Sequence, residues 1–221
     1  ALYYFDVTEI NLPLRHFFGE AIRQGRLPLW TTDLYCGFPI FAEGQAGPVY
    51  PPNLLFFPWL PSWVAYNLTT MGHMALLALF TYLFLRSLAS PFASLVGSLT
   101  FTLSSYVIEH QMHMSFFNQI VWMPLLLWLT DRGMRTNNWR WFLGASAAFA
   151  VQVLAGHQQV AAFSALTVAA YAATLSIRPG EKTSRGLRRA ATALVLLFGL
   201  GMGLCAVQAV PTMELLNQSI R

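Results

Sequence analysis

Between Trp139 and Ile177 the chain is almost continuously apolar apart from Arg140, and its main interruption is Ala155-Gly156-His157-Gln158-Gln159. At 1.5 Å per residue a single straight helix over this run would extend roughly 58 Å, nearly twice a hydrocarbon core of about 30 Å. The run therefore reads as two spans, Trp139–Ala155 and Gln159–Ile177, joined by a turn that Gly156 permits. Other long apolar stretches share this character: Ser62–Leu85, Pro91–Ile108, Phe116–Thr130 and Ala190–Val210. Those of 15–18 residues need tilt, local thinning or burial in protein to cross.

Composition agrees with a lipid solvent. Of the 221 residues 56% are hydrophobic and 10% charged, with mean hydropathy +0.50; a soluble domain carries about 25% charged residues. The expected fold is all-α, a polytopic transmembrane helical bundle of about six spans over 62–221. Residues 1–61 form a long outer segment. The net charge of +4 belongs to loop placement and is no nucleic-acid footprint.

With Arg86 on the inner side, alternation also places Asp131–Arg140 and Arg178–Arg189 inside. Together with Arg86 these segments hold nine of the thirteen basic residues. The outer side keeps Arg15, Arg23, Arg26 and Arg221, which follows the positive-inside rule. Most acids fall outside: Asp6, Glu9, Glu20, Asp33, Glu43, Glu109 and Glu214. Either chemistry on that face or its larger loop accounts for the bias. Cys36 and Cys205 fall in an outer loop and a span, so no disulfide is expected between them.

In the outer segment Leu14, Phe17, Phe18, Ala21 and Ile22 recur at helical spacing, with Arg15, Glu20 and Arg23 assigned to the opposite side. Gly25 stops this amphipathic helix. It either lies on the membrane surface or packs on the protein's own outer face. Residues 25–53 follow, with four glycines and five prolines among Trp30, Tyr35, Phe38 and Tyr50. They exclude a regular helix and suit a pocket wall or an interfacial anchor.

Four polar islands interrupt the apolar text: Asp6 with Glu9; Glu109 with His110 and His113; His157 with Gln158 and Gln159; and Glu214 with Ser219 and Arg221. Alternation puts all four on the outer face. Ionisable groups at membrane depth are costly and usually line a cavity or substrate path. The His-x-x-His pair beside Glu109 suggests a divalent metal or an ordinary solvated turn, and its remaining ligands have no candidates. His73, on a span, reads as a helix-contact residue. No phosphate loop, nucleophile elbow or dinucleotide fingerprint is present.

The order Asp6, Pro13, Gly25-Arg26-Leu27-Pro28-Leu29-Trp30, Gly37-Phe38-Pro39, Gln45 and Tyr50-Pro51-Pro52 resembles the first outer loop of bacterial YfhO-type membrane proteins. The likeness continues through Trp122-Met123-Pro124-Leu125, Ala155-Gly156-His157-Gln158-Gln159, Gln208 and Pro211-Thr212 to Arg221. Gln158 stands where the family often has proline.

That family resembles the GT-C glycosyltransferases. The resemblance implies a multi-spanning enzyme of the bacterial cytoplasmic membrane that takes sugar from a polyprenyl-phosphate carrier. It passes the sugar to an extracytoplasmic acceptor, a cell-wall polymer, lipid or protein. It also implies a first span before Ala1 and a longer chain beyond Arg221.

In that class an acid of the first outer loop is catalytic, and Asp6 holds the corresponding place, with Glu9 as alternative. A guanidinium meets leaving-group phosphate best; Arg221 is the first choice and Arg26 the next. Trp30, Glu109, His110, His113, His157, Gln158, Gln159 and Glu214 complete the candidate binding set. The competing readings are a transporter, which places polar groups near mid-membrane, and a lipid-binding or assembly factor.

Overall fold

The computed structural model describes residues 6–34, 36–177 and 183–219. Among them all regular elements are helical, and one isolated antiparallel bridge joins Thr31 to Phe38. A π-helical turn, Asp6–Asn11, runs into α1, Leu12–Arg23. The Gly/Pro-rich stretch stays irregular except for one turn, α2, Ile40–Glu43, and leads into α3, Pro51–Phe56. Next come α4, Ser62–Leu85; α5, Pro91–Thr102; α6, Ser105–Glu109; α7, Met114–Ile120; and α8, Trp122–Thr136. The chain continues as α9, Arg140–Leu154; α10, Gln158–Leu175; α11, Thr183–Leu204; and α12, Ala206–Gln218.

Among the described residues two helices, α4 and α11, are long and apolar enough to cross a membrane. A third candidate is the pair Pro91–Thr102 and Ser105–Met112, bent by 41°. The six expected spans thus reduce to two or three by this measure. The others fall short for separate reasons: α8 carries Asp131, Arg132 and Arg135, α9 has 15 residues, and α10 opens on Gln158 and Gln159.

The breaks have local causes. Ser104 ends α5 and starts α6, its hydroxyl donating to Phe101 O and accepting from Val107 N. Pro124 lacks the N–H that would bond the carbonyl of residue 120, and its ring crowds that carbonyl. The expected span Phe116–Thr130 therefore splits at Val121. The last expected span, Ala190–Val210, begins earlier, at Thr183, and breaks at Cys205 before Pro211.

The packing is that of helices in lipid. On α5 the buried side chains are Ser94, Ser98 and Thr102, while Phe92, Leu95, Val96 and Leu99 are exposed. On α11 the inner stripe is Gly186, Ala190, Ala193, Leu197 and Gly201, and Val195, Leu196, Leu200 and Leu204 face outward. Small residues inside let backbones approach, and hydrocarbon accepts the large side chains left outside. Gly201 shows why: a Cβ there would sit 2.8 Å from Phe149 Cδ1 on α9. Phe149, Leu126, Val153, Val168 and Leu197 centre the main core.

The outer segment is fastened to this bundle. Phe18 of α1 packs with Ile40 and Ala46, and Gly19 abuts the Phe57 carbonyl, so α1 lies on the protein's own loop. Arg15 corrects the sequence reading: it is 1% exposed and belongs to the buried face with Phe18 and Gly19. Tyr50, fully buried, accepts from Trp122 Nε1 at 3.0 Å and donates to His73 Nε2 at 2.6 Å. His73 Nδ1 in turn donates to Thr69 O, so His73 is the helix-contact residue its position suggested. Cys36 is exposed and Cys205 buried, and neither forms a disulfide.

Candidate functional site

Two connections, α6–α7 and α9–α10, and the outer segment meet at one end of the bundle. There they enclose an open cavity of about 300 Å³. Its polar lining includes Asp6, Asn11, Gln45, His110, His113, Ser115 and His157, with Phe116, Met114, Ile10 and Leu14 supplying apolar wall.

Each polar side chain arrives for a local reason. Asp6 opens the π-helical turn, whose wider winding Asn11 closes by donating from Nδ2 to Asp6 O at 2.8 Å. π-Helical turns recur at functional sites because they re-aim side chains. His113 stands at the N-cap position of α7 with a non-helical ψ of 76°, and its ring meets the acid. His113 Nδ1 donates to Asp6 Oδ2 at 2.8 Å. Their side chains remain 46% and 36% exposed, so a ligand can reach the pair.

His110 Nδ1 donates to Tyr106 O, which fixes the tautomer that this bond requires. Its ring lies 4.7 Å from that of Phe116, and Phe116 meets the His157 ring edge-on at 5.4 Å. His157 stands before α10 at the reversal expected of Gly156, whose φ is +99°. A Cβ at Gly156 would fall 2.4 Å from Gly44 O and 2.6 Å from Gln45 O. The turn thus presses directly on the cavity's loop wall. Burial, and secondarily the nearby His113, holds the His157 imidazole below the ordinary histidine range.

Behind this lining sits Arg15. Its Nη1 donates to Asn11 Oδ1 at 2.7 Å and to Asn11 O at 3.3 Å, and its Nη2 to Ser115 Oγ at 3.4 Å. Ser115 Oγ in turn donates a hydrogen bond to Gln45 O. Burial lowers the Arg15 guanidinium to about 10. Glu43 is pushed up by its own burial, against the backbone N–H of Gln45 and the charge of Arg15.

The structure therefore brings together Asp6, His110, His113 and His157. Glu9 and Glu109 are exposed and stand outside the lining, as do Gln158 and Gln159. The expectation that Gln159 shares the cavity is corrected, because each helical residue turns about 100° and the first turn of α10 carries both glutamines outward. Arg26 bonds Gln24 at the surface, and Trp30, 58% exposed, covers Gly37. Glu214 is exposed on α12; Arg221 lies outside the described residues. Among those residues no group of three or more His, Cys, Asp or Glu is disposed to hold a metal ion.

Asn11, Arg15, Gln45, Ser115 and Phe116 escaped the sequence reading. Gln45 stood in the family-like order of the outer loop, and Arg15 shares helical spacing with Phe18, Gly19 and Ile22, so the apolar stripe runs through it.

An all-helical membrane protein with an acid and three histidines around a cavity at one bundle end is the class these features define. More particularly, the chain belongs to the family of the bacterial membrane protein YfhO, which it matches over residues 12–214. Asp6 and Glu9 precede the matched stretch, and Arg221 follows it. No curated protein and no solved structure matches the chain.

Proposed function

We propose that this protein is a glycosyltransferase of the bacterial cytoplasmic membrane. It moves a sugar from a polyprenyl-phosphate carrier to an extracytoplasmic cell-wall polymer, lipid or protein. The observation that carries this reading is the convergence of Asp6, His110, His113 and His157 on one accessible cavity. These groups sit at helix ends and connections rather than within a span, which suits chemistry at the membrane boundary better than mid-membrane transport. Family membership and the apolar exterior support a lipid-linked substrate.

In the proposed reaction an acceptor hydroxyl attacks the anomeric carbon, and the bond from that carbon to the carrier phosphate breaks. Asp6 takes the hydroxyl proton. His113 holds the carboxylate by its Nδ1 donor, leaving the second carboxylate oxygen for the acceptor. The phosphate departs with the carrier, its charge met by the ring N–H of His157 across the cavity, since His110 and His113 commit theirs to Tyr106 O and Asp6. Phe116 gives the sugar an apolar wall.

The experiment is Asp6→Asn in the full-length protein. Loss of sugar transfer to membrane or wall acceptors with intact expression supports the reading. Retained substrate binding without any transfer in the wild type would instead favour a carrier or assembly factor.

A further inference from the structure

Arg15 is the least expected residue around the cavity. It is 1% exposed, its Nε has no hydrogen-bond partner, and no carboxylate pairs with it among the described residues. A buried cation with no direct ion pair, and only the charge of Glu43 at a longer range, is costly, and its retention asks for a role that a neutral side chain cannot fill. Its partners show the role. Asn11 closes the turn that begins with Asp6, and Ser115 lies two residues after His113. The same serine reaches Gln45 on the loop wall. One planar guanidinium therefore ties together three segments of the lining, two of which carry the two members of the acid–histidine pair.

We infer that Arg15 is a positioning residue that sets the separation between Asp6 and His113. It touches neither side chain, and acts through Asn11 on one side and Ser115 on the other. Lysine cannot replace it: a point donor on a flexible stem lacks the fork that reaches two partners in fixed directions. The inference rests on the transferase reading only for its catalytic consequence; the geometry stands without it.

The test uses the full-length protein with every native cysteine replaced, including Cys36 and Cys205. Asp6→Cys and His113→Cys are joined by a short bis-methanethiosulfonate reagent. Asn137→Cys and Thr192→Cys, which line a separate cavity of about 310 Å³, serve as control pair. Arg15→Met should slow the first cross-link by about fivefold or more and leave the control unchanged, because ångström-scale displacement governs such encounters. Arg15→Lys should slow it as well. An unchanged rate in Arg15→Met, full rescue by lysine, or equal collapse of both pairs overturns the inference.

In the transfer assay Arg15→Met should lower kcat with KM nearly unchanged. Slowed cross-linking with an unaltered kcat would overturn the catalytic consequence. If Asp6→Asn proves fully active, the transferase reading falls while the cross-linking result still decides the role of Arg15.

Discussion

His113 Nδ1 lies 2.8 Å from Asp6 Oδ2, joining the first described turn of the chain to the break between α6 and α7. Neither partner is buried, so the pair owes little of its value to stability, as exposed ion pairs contribute about 0–1 kcal/mol. Its meaning is orientation of a carboxylate that a ligand can reach.

That orientation predicts non-additivity. His113→Gln should reduce transfer by roughly 10-fold to 10²-fold, within the range for a group assisting general-base catalysis. Combined with Asp6→Asn it should add little further loss, since the two act as a unit. Multiplicative losses in a double-mutant cycle would separate them.

Gly156 predicts a stability effect at the cavity wall. With φ at +99° and backbone oxygens 2.4 and 2.6 Å from a Cβ, alanine meets both strain and collision. Gly156→Ala should lose of order 2 kcal/mol or more, the scale of strained backbone positions. Its thermal midpoint in detergent should fall clearly below that of Gly144→Ala, where a Cβ finds only ordinary contacts at 3.6 Å.

His157 predicts a pH effect. Burial holds its folded-state pKa below the ordinary 6.5, so below that value the unfolded chain binds the proton more readily. Stability should therefore fall as pH drops through 6.5 towards the folded value, where the loss levels off. His157→Asn should flatten this part of the curve, as read from thermal midpoints between pH 7 and pH 5. An unchanged slope would show that other groups cause it.

The buried chain from Trp122 through Tyr50 to His73 predicts a cost without a chemical role. Tyr50→Phe leaves the Trp122 N–H and the His73 Nε2 without their partner. About 1–3 kcal/mol of stability should be lost, the usual penalty for stranded buried groups. Transfer per folded molecule should stay near wild type.

Much of this was legible in the sequence. The reversal at Gly156, the helical class and three of the four polar islands follow from periodicity, length and alternation. The breaks at Ser104 and Val121 were less visible, because hydropathy windows average over a serine or an early proline. Arg15 was misassigned because its charge suggested the solvent side, while its spacing with Phe18 and Ile22 pointed inward. Asn11 and Ser115 carried no signal at all, and Gln45 only its place in the family-like order of the outer loop. They matter through a guanidinium that joins them across 100 residues of chain, and only the fold makes that juxtaposition.

The central claim is that Asp6 is the base of a sugar-transfer site. It is tested most directly by transfer of labelled sugar from polyprenyl-phosphate carriers in membranes bearing full-length wild type or Asp6→Asn. The account predicts a loss of roughly 10²-fold or more, the scale of general-base catalysis, at equal expression. Transfer by Asp6→Asn at the wild-type rate would contradict it.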